Sequence, residues 1–548
     1  MTTGAELLAK SLVAQGVDTL FFLMAGPMHD AETAMAAHGL RMIDVRHEQA
    51  AAMMAHAYGR VMQRPGVCMG GSGPGALNLH GGLANALIDC VPVVAIGGSS
   101  PLEFNGMGVF QEIDQVAAMR PVTKWAQRVY ETRRIPELIA TAFKHAMTGK
   151  PGPVYLDFPG DILNATVADE VVEWPNFEKS RRRSRPRGDP ELTAAALQMI
   201  AGAERPIMIY GSGVLWSQAW ERLQNWAERT GIPFYATPQA RGCIAEDHAL
   251  SFPAARSHAF KNADVVLVVG TRMTYGLTFG MPPRFNANAK FIRIDIDHEE
   301  IIANPRVEIG INGDARAVLE QFAEGLPGSG IDPERYSAWR VQLKKDDDVR
   351  ANAQEARLNT DAVPIHPMRL CREVRDFMDR DAILVVDGQE ILNYGRQSIP
   401  TYYPGHRLNS GTFGTMGVGM PFGVGAKIAR PDKQVIVLHG DGSFGMHAME
   451  LDTAVRHKVP VIVVISLNGG WTADPKRNKV GRNLGYTRFD RVAEDLGAHG
   501  EFVETPDQIR PALERAKTAV AAGRPALVNV VTDWSARASA IHFTKHMT

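Results

Sequence analysis

The chain has 548 residues, too many for a single hydrophobic core, so two to four domains are expected. Hydrophobic residues make up 45% and charged residues 22%, the balance of an ordinary soluble globular protein. With 59 basic against 60 acidic residues and a formal net charge of −1, nothing electrostatic argues for a nucleic acid or a membrane surface as partner.

The N-terminus, MTTGAELLAKSLVAQG, reads as an amphipathic helix rather than a signal peptide. No apolar run reaches the ~18–20 residues that a bilayer span needs. Cys68, Cys90, Cys243 and Cys371 are far apart and match no zinc or disulfide spacing. A cytoplasmic setting with buried, unpaired thiols is the expectation.

Three α/β blocks follow in order. The first has apolar runs at DTLFFLM (18–24), RMIDV (41–45), GVCMGG (66–71) and VPVVAIGG (91–98), with helical text between them, and it fades near residue 165 after VYLDFP. Such alternation is that of an open parallel sheet with helices on both faces. A Pro- and Arg-rich stretch over 172–190 carries Arg181, Arg182, Arg183, Arg185 and Arg187. It reads as a solvated connector, with a phosphate grip as the sharper alternative. The second block has PIMIYG (206–211), ADVVLVVG (263–270) and KFIRIDID (290–297); its GSGVLW lacks the full dinucleotide fingerprint. A second linker, 325–366, carries GLPGSG and KKDDD. The third block has AILVVDG (382–388), KQVIVLHG (433–440), PVIVVISLN (460–468) and PALVNVVTD (525–533). The expected architecture is therefore three doubly wound parallel-sheet domains, at 1–170, 190–326 and 366–548. The shared rhythm of the first and third suggests two copies of one fold.

The chemistry concentrates in GDGSFGMHAMELDTAVRHKVPVIVVISLNGG, from Gly440 to Gly470. A strand ends at Asp441, a helix starts near Phe444, and the next strand ends at Asn468, 27 positions after Asp441. In a right-handed βαβ unit both loops lie at the carboxyl edge of the sheet, where ligands bind. One carboxylate and one amide oxygen suit a hard cation such as Mg²⁺, which usually keeps phosphate oxygens among its ligands. Gly442 and Ser443 precede a helix N-terminus whose free amides favour a diphosphate. No GxxxxGK[ST] loop supports a P-loop reading.

GDG followed at this distance by Asn resembles the diphosphate motif of thiamine diphosphate enzymes, the superfamily of acetolactate synthase, pyruvate decarboxylase and oxalyl-CoA decarboxylase. The family usually has Asn-Asn where this chain has Leu467-Asn468. The resemblance covers essentially the whole chain and implies thiamine diphosphate and Mg²⁺, with Asp441, Asn468 and the carbonyl of Gly470 on the metal. It implies Glu48, in RMIDVRHEQAAAMMAHAYG, as the carboxyl that drives the cofactor's aminopyrimidine into its imino form. A helix-entry charge is the plain alternative for a Glu there. SGTFGTMGVGMP (410–421) resembles the segment that bends the cofactor, with Met416, 25 residues before Asp441, as wedge and the Gly414 carbonyl receiving the 4′-amino group. Gln389 matches a diphosphate-contacting Gln, while Glu390 departs from the His often found next. The family's sites lie between subunits, so a homodimer or homotetramer is implied.

LMAGPMHDAE, RPGVCMGGSGPGALNLHGG and GVFQEIDQ look most like 2-hydroxyacyl-CoA lyase, with oxalyl-CoA decarboxylase next. In the second block GLTFGMPPRF carries the FGxPPR[FY] wording of that CoA-handling branch. The resemblance implies cleavage of a 2-hydroxyacyl-CoA to formyl-CoA and an aldehyde or ketone, with Gln111 near the reacting carbons. Whether the middle domain holds ADP, FAD, the CoA nucleotide or nothing is left open. An acetolactate synthase-like carboligase, sharing Phe110-Gln111-Glu112 and Gln389, is the alternative. Trp471-Thr472 departs from the Ile-Tyr expected in the lyases. A non-catalytic cofactor-binding protein would be expected to have lost Glu48 or Asp441, and both are present.

Overall fold

The computed structural model describes residues 1–304 and 306–538. A short antiparallel ladder joins β1 (Thr2–Thr3) to β8 (Thr166–Val167). Otherwise the chain builds three sheets. The first comprises β2 (Thr19–Phe22), β3 (Arg41–Asp44), β4 (Gly66–Gly70), β5 (Val93–Ser99), β6 (Trp125–Arg128) and β7 (Val154–Pro159), in the order β3-β2-β4-β5-β7-β6. The second comprises β9 (Ile207–Tyr210), β10 (Phe234–Ala236), β11 (Val265–Val269), β12 (Lys290–Asp295) and β13 (Val307–Asn312), in the order β10-β9-β11-β12-β13. The third comprises β14 (Ile383–Asp387), β15 (Arg407–Leu408), β16 (Val435–Gly440), β17 (Ile462–Leu467), β18 (His499–Val503) and β19 (Ala526–Val531), in the order β15-β14-β16-β17-β19-β18. Every pairing within the three sheets is parallel. The first and third sheets have the same strand order, so the expected repetition is real.

Alternate side chains on the central strands enter different cores, as the pleat requires. In the third sheet Leu384, Val386, Ile436 and Leu438 face one core. Ile383, Val385, Val435 and Val437 face another, which also holds Phe21, Ile43, Cys68 and Ala95 of the first sheet. One apolar core thus fuses the first and third domains. Its centre is the contact of the Glu48–Met62 helix, rich in Ala50, Ala51, Ala52, Met53 and Met54, with the Gly419–Ala429 helix. The Ala run lets the two helices approach closely, and the flexible Met side chains fill what remains.

Two expectations change. The second linker contains a 16-residue helix, Ser337–Asn352, whose Trp339 and Leu343 complete a core of the middle domain with Phe260 and Phe285. The first linker is not simply solvated, because Arg183 donates to the Trp216 carbonyl at 2.6 Å and the Gln63 carbonyl at 2.7 Å. All four cysteines are free; Cys68, Cys243 and Cys371 are buried and Cys90 is half-buried. Among the described residues no helix is long and apolar enough to cross a membrane.

Candidate active site: two half-sites at equivalent sheet edges

In an open α/β sheet the ligand crevice lies beyond the carboxyl ends of the strands, where the winding reverses. In the third sheet this falls between β14 and β16. The strand ends there deliver Gly388 and Gln389 from β14, Asp441 from β16 and Asn468 from β17. A small pocket lined by Gln389, Met416, Asp441, Ser443, Asn468 and Trp471 occupies the place.

Asp441 and Asn468 do meet. The backbone N–H of Gly470 donates to Asp441 Oδ2 at 2.9 Å and to Asn468 Oδ1 at 3.2 Å. Asp441 Oδ1 accepts the N–H of Gly442 at 2.8 Å. Burial pushes the Asp441 carboxyl up to about 6, against the pull of the Gly442, Gly470 and Gly469 N–H groups and the Arg482 charge. A buried carboxyl held away from ionisation is one that a cation would return to its charged form. No cluster of three or more His, Cys, Asp or Glu able to hold a metal occurs among the described residues. A cation here would need hard oxygens from the Asn468 amide, a backbone carbonyl and the ligand itself, which is the manner of Mg²⁺.

The helix after β16 differs in detail from expectation. It starts at Asp441 rather than near Phe444, stops at Met446, and resumes as Glu450–Arg456. The Ser443 hydroxyl is engaged, donating to the Gly440 carbonyl at 3.0 Å and lying 3.0 Å from His439 Nδ1. Its backbone N–H lies in the first turn of the helix, where no preceding turn supplies a carbonyl. Gly442 is required because a Cβ there would lie 2.6 Å from the Trp471 ring. Arg482, unmarked by the sequence reading, clasps the loop after β17 by donating to the carbonyls of Asn468 (3.0 Å) and Thr472 (3.2 Å). Glu390 accepts the Thr472 hydroxyl at 3.2 Å. Met416 lines the pocket. Gly414 stands two residues earlier on an exposed part of the same loop.

The second half-site occupies the matching edge of the first sheet. Glu48 opens its helix just beyond β3 and is buried. Its Oε2 accepts a hydrogen bond from Asn78 at 2.9 Å, a partner whose only sequence signal is one amide in an apolar Gly/Ala/Leu segment. Oε1 faces Gly75, 3.3 Å from where a Cβ would stand. Gly73, in the same GSGPG loop, lies against the Gln111 backbone. The loop thus links Glu48 to Gln111. Gln111 is exposed with φ +61°, and its neighbours Met107 and Phe110 are 73% and 84% exposed. Neither Glu48 nor Gln111 lines the pocket around Asp441 of the same chain. The sequence-chosen residues therefore form two separate groups, one on each domain.

A larger cavity of about 440 Å³ opens where the first domain, the first linker, the middle domain and the 411–412 loop meet. Arg183, Arg256, Arg272, Arg284 and Arg396 line it. Burial, together with the Arg284, Arg241 and Arg396 charges, lowers Arg256 to about 10. The segment Thr274–Leu277 and Arg284, from the GLTFGMPPRF region, form part of its wall. Thr278 and Phe279 there have φ of +48° and +54°, left-handed backbone of the kind found at functional sites.

Comparison with known proteins agrees with these features. The chain matches the N-terminal TPP-binding domain of thiamine pyrophosphate enzymes over residues 2–118, their central domain over 193–322, and their C-terminal TPP-binding domain over 392–530. It is 33% identical to 2-hydroxyacyl-CoA lyase of Arabidopsis thaliana, over 97% of this chain and 95% of that one. It is 36% identical to the acetolactate synthase large subunit of Mycobacterium tuberculosis, over 96% and 95%. It is 32% identical to oxalyl-CoA decarboxylase of Escherichia coli, over 100% and 97%. The chain belongs to the thiamine pyrophosphate enzyme family.

Proposed function

We propose that the protein is a carbon–carbon lyase that cleaves 2-hydroxyacyl-CoA to formyl-CoA and an aldehyde or ketone. The observation that carries this reading is the GLTFGMPPRF segment, whose wording resembles the CoA-handling branch and which walls an arginine-lined cavity. That cavity suits the phosphates of a nucleotide, whether ADP, FAD or the CoA tail. An acetolactate synthase-like carboligation is the second reading, favoured by the 36% identity to such a synthase. Decarboxylation of oxalyl-CoA is the third.

Thiamine diphosphate, when bound, supplies a nucleophilic carbon and an electron sink for cleavage beside a carbonyl. The residues of the third domain fit it. Asp441, Asn468 and the Gly470 carbonyl would hold Mg²⁺ against the diphosphate. Gln389 and the first-turn N–H of Ser443 would contact the phosphates, and Gly442, whose own N–H is taken by Asp441 Oδ1, would let them approach the backbone closely. Met416 would be the wedge between the rings, and the Gly414 carbonyl would accept the 4′-amino N–H. With Oε2 engaged by Asn78, Glu48 keeps Oε1 free to share a proton with the pyrimidine ring. Gln111 would donate a hydrogen bond to the reacting substrate's oxygen. In the reaction the C1–C2 bond breaks, the 2-hydroxyl loses its proton as the aldehyde carbonyl forms, and the formyl carbon gains a proton.

The separation of Glu48 from the Asp441 pocket supports a homodimer or homotetramer, Glu48 of one copy serving the pocket of the next. The exposed Met107 and Phe110 beside Gln111 support burial of that face in the assembly. A panel of 2-hydroxyacyl-CoA thioesters set against pyruvate and oxalyl-CoA tests the function. Formyl-CoA with an aldehyde from a thioester is the expected result; acetolactate alone, or CO₂ release from oxalyl-CoA alone, would replace the reading.

A further inference from the structure

We infer that Asp89, in the first domain, is a positioning residue for the Asn409–Met416 loop of the third domain, and so for the pyrimidine end of the bound cofactor. The inference rests on the reading of Met416 and Gly414 as the pyrimidine seat. The loop's own hydrogen bonds are few: Gly411 N–H to Asn409 Oδ1 at 2.9 Å and Gly414 N–H to the Ser410 carbonyl at 3.3 Å. Its anchors come from the other two domains. Asp89 Oδ1 accepts the N–H of Thr412 at 3.3 Å. Gln239 of the middle domain donates to Asp89 Oδ2 at 3.0 Å and to the Asn409 carbonyl at 3.2 Å. Tyr275 of the middle domain donates to the Thr412 carbonyl at 3.4 Å.

The approach of carboxylate to loop is too close for any side chain. Gly411 has φ +61°, and a Cβ there would fall 1.7 Å from Asp89 Oδ1. Asp89 is itself buried, with Asn85 Nδ2 3.4 Å from Oδ2 and His56 Nε2 at 3.9 Å. Arg60 is buried beside it and donates to the Gln239 carbonyl. A fixed acceptor of this kind, buried in the wall of the larger cavity, sets the loop's place more firmly than the loop's own two bonds. Met416 lies four residues beyond Thr412 and points into the diphosphate pocket. Its position relative to Asp441 thus depends on an anchor in another domain.

The test uses the full-length protein with Mg²⁺ and two probes, thiamine diphosphate and inorganic diphosphate, titrated separately by calorimetry. Inorganic diphosphate reports the Asp441 end alone. Asp89→Ala and Gln239→Met are expected to weaken thiamine diphosphate by about tenfold, the size of one lost buried hydrogen bond, and to leave inorganic diphosphate within about twofold. Asp89→Asn keeps an oxygen for the Thr412 N–H and is expected to recover most of the loss. Unchanged thiamine diphosphate affinity in Asp89→Ala and Gln239→Met overturns the inference, and so does equal weakening of both probes. Met416→Ala separates the two levels. If it too leaves thiamine diphosphate binding unchanged, the pyrimidine-seat reading fails and the inference with it; if it weakens binding while the Asp89 and Gln239 variants do not, only the anchoring fails.

Discussion

Glu450 Oε1 accepts the backbone N–H of Arg46 at 3.1 Å, joining the third domain to the loop that leads into Glu48. Its other oxygen accepts the Thr453 hydroxyl at 2.7 Å. Around this pair Arg46 bridges to Asp452 at 2.6 Å, and His457 lies 2.7 Å from Asp44. The loop before Glu48 is thus held by a buried carboxyl from the third domain of the same chain.

That carboxyl carries a pH signature. Burial raises Glu450 from 4.5 to about 7, outweighing the Thr453, Arg46 and His47 hydrogen bonds. Because the folded value lies above the unfolded one, its contribution to stability is complete below about pH 4.5 and is lost as pH rises through about 7. Glu450→Gln keeps an acceptor and cannot ionise. Thermal midpoints at pH 5 and pH 8 should therefore converge or cross in the variant's favour at pH 8, by a few degrees, equivalent to on the order of 1–3 kcal/mol. A pH-independent difference would clear Glu450 of the effect.

At the proposed metal site, Asp441→Ala removes the one formal charge in the oxygen set and should abolish Mg²⁺-dependent binding of thiamine diphosphate. Asn468→Ala removes a neutral ligand and should weaken it by less, about 10- to 100-fold. Calorimetric titration decides between them; equal losses, or full affinity in Asp441→Ala, would move the metal elsewhere.

Much of this was readable beforehand, and what was not has a common cause. The central strands were found because parallel strands buried on both faces are continuous apolar runs. Six strands within the three sheets went unread as strands; five of them, β6, β10, β13, β15 and β18, are edge strands, and the sixth, the inner strand β7, was seen only as the VYLDFP text where the first block fades. Edges such as WAQR and HGEFV are short or carry polar residues, so they show neither a run nor a clean alternation. Asp441, Asn468 and Glu48 were legible because their spacing to strand ends is local. Asp89 and Glu450 were not, since each acts on backbone more than 300 residues away, and Arg482 was not, since a single arginine in loop text carries no sign of the carbonyls it folds back onto.

Glu48→Gln should bind the cofactor with near-normal affinity yet lose exchange of the cofactor's C2 proton by several orders of magnitude, since a neutral amide cannot share the required proton. Asn78→Ala, which frees Oε2, should slow exchange by about 10- to 100-fold. Exchange is followed by NMR, and a normal rate in Glu48→Gln would take Glu48 out of the reaction.

Gly442→Ala drives a methyl group against the Trp471 ring. Overpacking of this kind costs about 1–3 kcal/mol, here expected as roughly 5- to 100-fold weaker cofactor binding. Trp471→Ala in the same chain should recover most of it. Additive losses in the double variant would show that the two residues do not press on each other.

The proposed reaction turns on the fate of the bond between C1 and C2 of a 2-hydroxyacyl-CoA. Holoenzyme carrying thiamine diphosphate and Mg²⁺, given pyruvate and a 2-hydroxyacyl-CoA labelled with ¹³C at C1, can be followed by NMR in one tube. The label is expected to move into formyl-CoA as the one-carbon-shorter aldehyde or ketone accumulates, with pyruvate unconsumed. Acetolactate formed from pyruvate while the labelled thioester stays intact would contradict it.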